Sequence, residues 1–118
     1  MDYLKAFESI VAQQLARVEK MKADTEFIDY QVLDKIIIGV IGGDGIGPAI
    51  TAQAQRVLEQ LLADEVKSGK VEFKTIDGCT IENRAKAGKA IPDDVLAEIK
   101  KCNVLLKGPT TTPRKGRS

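Results

Sequence analysis

The sequence has no histidine and no tryptophan, and only two cysteines, Cys79 and Cys102, among its 118 residues. Without histidine there is no Ser-His or Cys-His catalytic pair, and no side chain whose ordinary pKa lies near neutrality. The cysteines show no CxxC spacing, so a zinc site built from local ligands is not expected, and both are expected to be reduced and structural. Neither sign of charge is in excess: 18 Lys and Arg stand against 17 acids, a net charge of +1. That balance gives no electrostatic reason to expect nucleic acid or an anionic membrane as partner. Long apolar runs are also missing. The longest, Ile36 to Ile41, is far too short to cross a bilayer, and the N-terminus lacks the basic-then-apolar order of a secretory signal. The expectation is a cytoplasmic protein whose chemistry uses groups other than imidazole. At this length one domain with a real core is the default.

What is present falls into an ordered series of elements. Over Asp2 to Lys22, Leu4, Phe7, Val11, Val18 and Met21 recur at alternating spacings of three and four, Gln14 fills the one polar slot, and Ile10 and Leu15 widen the stripe. This predicts an amphipathic helix, used either for packing on its own or a neighbouring domain or for a coiled-coil partner. Thr25 to Asp34 lacks a period and is expected to be a connection with one turn of helix at most. Residues 1–30 are therefore read as a helical extension and 31–118 as an α/β domain.

Ile36 to Ile41 is apolar on both faces, as the central strand of a parallel sheet covered by helices on both sides should be. The run stops at Gly42-Gly43-Asp44-Gly45-Ile46-Gly47 and restarts at Pro48, a residue suited to the first turn of a helix. Ile50, Ala54, Val57, Leu58, Leu61 and Leu62 are expected to form the inward face of that helix, which fades over Asp64 to Gly69. Val71 to Ile76 reads as a second strand. Ile81 to Ala87 reads as a short helix capped by Gly88. Pro92, Asp93 and Asp94 start another helix, with Val95, Leu96 and Ile99 facing inward. Asn103 to Leu106 is the third strand, and it runs into Lys107-Gly108-Pro109-Thr110-Thr111-Thr112-Pro113. The order implies right-handed parallel crossovers and an α/β architecture of partial three-layer αβα type, in which ligands gather outside the carboxyl ends of the strands.

The glycine loop by itself is ambiguous. The third glycine of a GxGxxG dinucleotide fingerprint would fall at Pro48, and no Gly-Lys-Ser/Thr follows, so neither a Rossmann nor an NTPase phosphate loop is supported. A tight strand-to-helix turn is the plain alternative. The second feature is its pairing with LLKGPTTTP after the third strand. Through GGDGIGP, the Gly88 to Pro92 stretch GKAIP, and Leu106 to Pro113, the sequence resembles the isocitrate and isopropylmalate dehydrogenases. These oxidise and decarboxylate a 2-hydroxy acid with NAD or NADP and a divalent metal, Mg or Mn. LKGPTTTP is more similar to the isocitrate branch.

Position by position, the resemblance implies a cofactor-binding role for Gly43, Asp44, Gly45, Ile46 and Gly47 and for Thr110, Thr111 and Thr112. It implies a substrate-binding role for Lys107, Thr112 and Ser118. Hydroxyls and loop N–H groups can hold an amide or phosphate without adding charge, and Lys107 can offset an anionic substrate. The bland readings are a solvated loop for the threonines and a surface charge for Lys107. Two departures stand out. Ala49 replaces the acid that usually follows Gly-Ile-Gly-Pro. Arg117-Ser118 resembles an Arg-Ser pair of the family but lies closer to Pro113, and a pair left at a cloning junction is the competing reading.

The family's acid/base pair, metal-binding aspartates and adenine pocket lie beyond the matching stretch, so no catalytic residue and no metal ligand is assigned. The resemblance implies the N-terminal portion of an NAD(P)-dependent isocitrate dehydrogenase-like oxidoreductase. It is expected to be inactive alone, to bind no cofactor tightly, and to partner with the remainder of the dehydrogenase. The alternative is a non-catalytic module derived from that fold. Uncovered apolar surface and a free strand edge, together with the N-terminal helix, predict pairing with another copy of the chain as a homo-oligomer.

Overall fold

A computed structural model of the chain describes residues 2–114. The described residues fall into two compact units, divided between Gln31 and Val32.

The first unit is one helix, α1 (Tyr3–Ala23), followed by an irregular segment. Asp2 starts it: its Oδ1 accepts from the amides of Leu4 and Lys5 at 3.1 and 3.2 Å, satisfying two of the donors that a helix start leaves open. After Ala23 no second helix forms before β-structure begins. Asp24 accepts from the Glu26 amide and Asp29 from the Gln31 amide. These side-chain turns compete with helix for the same backbone donors, and the connection holds a single turn, over residues 30–32, in place of a regular element.

The second unit is α/β. Its elements are β1 (Ile36–Ile41), α2 (Gly47–Leu61), α3 (Ala63–Ser68), β2 (Val71–Thr75), α4 (Ile81–Ala87), α5 (Asp93–Lys100) and β3 (Val104–Lys107). The three strands are all parallel in the order β2-β1-β3, with Val40 opposite Thr75 on one side and Leu106 on the other. As expected, the strand apolar on both faces is the central one. Two right-handed crossovers that leave β1 to one side and return past it to the other must put their helices on opposite faces of the sheet. The packing agrees with this. Ile41 meets Ile76, Cys79 and Val95, with Ile99 and Cys102 at the margin, on the α5 side, and successive strand residues face opposite ways, so its neighbour Val40 points to the other face.

Local signals explain the boundaries. α4 starts at Thr80, whose hydroxyl accepts from the Asn83 amide, and stops at Gly88 in the left-handed region at φ 66°. The stretch expected to fade after α2 instead makes α3. Leu62 breaks the path at φ −105°, Asp64 and Glu65 occupy the new first turn, and Gly69 ends it at φ 83°. The expected inward face of α2 is also corrected. Gly47 and Thr51 are buried and Ala54, Leu58 and Leu62 half-buried, whereas Ile50, Val57 and Leu61 are exposed. The helix carries apolar residues on two adjoining flanks, and the sheet covers only the one that begins with Gly47. Cys79 and Cys102 are both free thiols, the first buried and the second half-buried. Among the described residues, no helix is long and apolar enough to cross a membrane.

Candidate functional site

In a parallel sheet of order 2-1-3, the strand order reverses between β1 and β3, and the crevice outside their carboxyl ends is where such sheets take ligands. Both motif loops leave from that point. The Gly108 amide donates to the Ile41 carbonyl at 2.7 Å, so the chain departs from β3 beside the place where it departs from β1. The Asp44 amide then donates to the Pro109 carbonyl at 2.9 Å, tying the tip of one loop to the other.

The approach is close enough to require glycine. A Cβ on Gly43 (φ 77°) would lie 2.1 Å from the Pro109 carbonyl oxygen, and one on Gly47 or Gly108 would lie 2.2 Å from that of Gly42. Gly45, at φ 58°, has nothing within 4 Å of its would-be Cβ and faces open space. Gly43 and Gly108 therefore let the two loops pack together, Gly47 lets the β1–α2 loop close on its own backbone at Gly42, and Gly45 serves the turn itself.

Asp44 is the centre of the junction. Its Oδ1 accepts from the Ile81 amide at 2.8 Å and its Oδ2 from the Thr111 amide at 3.0 Å, joining the β1–α2 loop, the start of α4 and the threonine loop. Arg84 completes the arrangement. Its Nη1 lies 4.0 Å from Asp44 Oδ2 and donates to the Thr111 carbonyl at 3.0 Å, while its Nε donates to the Ala90 carbonyl at 2.8 Å. The side chains of Asp44 and Arg84 are only 9% and 15% exposed, so each charge is largely withdrawn from water and compensated by the other and by N–H groups or carbonyls. The Thr111 amide above all, then the Ile81 amide and the charges of Arg84 and Lys107, hold the Asp44 carboxyl below its ordinary value. Partial desolvation opposes them.

Lys107, the last residue of β3, curls over its own loop. Its Nζ donates to the Gly108 carbonyl at 3.0 Å and meets the Thr110 hydroxyl at 3.4 Å. An ammonium has three donors, so one remains for an incoming acceptor. Thr111 and Thr112 are exposed, and no hydrogen bond among the described residues occupies their hydroxyls. Ile46 is exposed and occupies the N-cap position of α2, where no side chain caps the helix. The structure thus brings together Gly43, Asp44, Gly47, Lys107, Thr110 and Thr111, with Gly45 and Ile46 on the open side of the turn and Thr112 one residue further on. Ser118 lies outside the described residues.

Three participants were not singled out from the sequence. Arg84 carries no local mark, since a basic residue in a short helix is ordinary. Pro109 acts through its carbonyl. Thr51 is 5% exposed beneath the junction, one turn after Gly47, with its hydroxyl 2.5 Å from where a Gly108 Cβ would stand. The Gly47-to-Thr51 spacing on one helix face was the available signal. A neighbouring cleft, bordered by Gly43, Gln55, Asp77 and Thr80, opens between the ends of β1 and β2, but Lys107 and Thr110–Thr112 do not line it. Among the described residues, no three His, Cys, Asp or Glu side chains converge as a metal site would require.

The pattern described by "Isocitrate/isopropylmalate dehydrogenase" matches residues 37–118, more than half of the chain. An isocitrate dehydrogenase [NADP] of Haloferax volcanii is 35% identical over 95 residues, 80% of this chain and 22% of the relative. One of Archaeoglobus fulgidus is 42% identical over 83 residues, covering 70% and 19%. A 3-isopropylmalate dehydrogenase of Sulfurisphaera tokodaii is 35% identical over 72 residues, covering 61% and 20%. No solved structure gives a significant match. The chain spans about a fifth of the length of these curated relatives, in their N-terminal part. With both motif loops inside the matched stretch, the chain belongs to the isocitrate/isopropylmalate dehydrogenase family.

Proposed function

We propose that this chain supplies one wall of the cofactor and substrate crevice of an NAD(P)-dependent, isocitrate-dehydrogenase-like enzyme. The observation that carries the reading is the junction of the two motif loops at the β1/β3 reversal, clamped by Asp44 through amides 37 and 67 residues away in sequence. A joint of this kind has a purpose when two loops must hold one ligand in register.

Within it the roles divide. Asp44 shapes the wall, because both its oxygens are committed to backbone donors. The turn through Gly45 and Ile46, together with the hydroxyls of Thr111 and Thr112, lies against the nucleotide and offers donors without charge. Lys107 presents its remaining N–H to a substrate carboxylate, to which Thr112 adds its hydroxyl, and so orients the anionic 2-hydroxy acid. The nicotinamide, when bound, supplies the hydride acceptor. The described residues do not fit a divalent metal, so no step of this chain's chemistry is routed through one. No acid/base pair is assigned among them, and the chain by itself turns over no substrate. The remainder of the dehydrogenase is the partner that completes the crevice. It covers the exposed flank of α2 (Ile50, Val57, Leu61) and the outer edge of β3, where Val104 and Leu105 are each 44% exposed.

The test has two arms on the purified chain. Isocitrate, manganese and either cofactor should give no cofactor reduction, and reduction above background refutes the account of an isolated wall. In amide-resolved NMR with millimolar NADP, shifts should concentrate at Gly43–Gly47 and Thr110–Thr112. Shifts gathered instead around Gln55 and Asp77 would place the ligand in the other cleft and overturn the assignment.

A further inference from the structure

The first unit poses a separate question, because a single helix has nothing within its own unit to pack on, and none of α1's residues is buried. Numbered as heptads, Leu4, Val11 and Val18 take position a, and Phe7, Gln14 and Met21 take position d. Ile10 and Leu15 fall at the flanking g and e positions. The outward b, c and f positions carry no apolar side chain larger than alanine. Every large apolar group of the helix thus lies on one face about three heptads long, and the face is open: Leu4 is 82% exposed, Phe7 67% and Met21 65%.

We propose that the occupant of this face is α1 of a second copy of the chain, packed antiparallel. Two features select that partner and that direction. Residues 2–12 carry a net charge of −1 and residues 13–24 a net charge of +1, so only an antiparallel pair sets each half against its opposite. Antiparallel alignment also pairs position a with position d. Leu4 then meets Met21 of the second copy, Phe7 meets the smaller Val18 and Val11 meets Gln14, so the two phenylalanines and the two glutamines are separated. A parallel pair would instead stack Phe7 on Phe7 and Gln14 on Gln14, with Arg17 beside Lys22 at the flanks, a like-charge contact. The pairing is independent of the crevice in the second unit.

Sedimentation of the full chain from micromolar to millimolar concentration should show a reversible dimer. Val11→Glu puts an unpaired charge into the central layer and should raise the dissociation constant about a hundredfold, whereas Ala16→Glu on the outward face should leave it within about threefold. Direction is read by oxidising an equimolar mixture of Leu4→Cys and Met21→Cys chains and identifying the disulfides by mass. The mixed product should dominate. A chain that stays monomeric, a Val11→Glu chain that stays dimeric, an Ala16→Glu chain that dissociates equally, or a predominant Leu4→Cys homodisulfide each overturns the proposal.

Discussion

Replacing Gly43 by alanine separates the two jobs that glycine does in the loop, and Gly45→Ala provides the internal reference. Both positions have positive φ, 77° and 58°, so each alanine incurs the left-handed cost of about 1 kcal/mol. At Gly45 nothing lies within 4 Å of the new Cβ, and the cost stops there. At Gly43 the Cβ would stand 2.1 Å from the Pro109 carbonyl oxygen and 3.0 Å from its carbon, both of them backbone atoms. Relief requires the two loops to part by roughly 1 Å, given the 3.4 Å or so at which carbon and oxygen pack comfortably. The hydrogen bond from the Asp44 amide to the Pro109 carbonyl is then lost, at about 1 kcal/mol, along with the packing of Pro109 on Gly47. The expected destabilisation is about 2–4 kcal/mol for Gly43→Ala against about 1 kcal/mol for Gly45→Ala. For a unit of this size that means a fall in melting temperature of about 10–25 °C against about 5 °C. Urea and thermal unfolding of the two variants measure it. Equal destabilisation within about 0.5 kcal/mol would refute the claim that Gly43 serves the loop-to-loop joint.

Two further outcomes follow from the charged groups. The Glu98 carboxyl is pushed down to about 2 from an ordinary 4.5 by hydrogen bonds first from Lys101 and then from Lys74. A depressed folded-state pKa contributes stability that is present above the unfolded value and lost as pH falls, so melting temperature should drop between about pH 4.5 and about pH 2. Asp44, shifted in the same direction, adds to that loss, and Glu98→Gln should flatten part of the acid limb in pH-resolved calorimetry. Arg84→Ala removes the donors to the carbonyls of Ala90 and Thr111 and uncovers Asp44. Hydrogen exchange at the Thr111 amide should then quicken about tenfold or more, while the Ile38 amide within β1 keeps its wild-type rate.

The elements that could be read in advance are those whose signals are local. Ile36 to Ile41 announces a central strand because no polar residue interrupts it, and α4 is bracketed by a threonine that caps its start and a glycine that ends it in the left-handed region. α2 was legible as a helix but not as a surface. Its apolar residues cover two flanks, and which flank meets the sheet depends on the close fit of Gly47 to Gly42, a contact between backbones. The same limit applies to the site. Gly43 to Gly47 and Lys107 to Thr112 could be found as motifs, whereas Asp44 as a clamp and Arg84 as its counter-ion depend on approaches between distant segments that leave no trace in spacing. Lys107 was legible as a positive charge, but its curl onto Gly108 and Thr110 follows from loop geometry alone.

The central claim is that the junction of these two loops forms a working wall of a dehydrogenase crevice, and a graft tests it most directly. The matching N-terminal part of the Archaeoglobus fulgidus isocitrate dehydrogenase is replaced by this chain, and the hybrid is compared with its Lys107→Ala and Thr112→Ala variants in steady-state kinetics. Loss of one hydrogen bond to a charged carboxylate predicts that Lys107→Ala raises KM for isocitrate at least about tenfold with a smaller change in kcat, and that Thr112→Ala raises KM for isocitrate, for NADP, or for both. An active hybrid in which both substitutions leave every KM and kcat unchanged would contradict it.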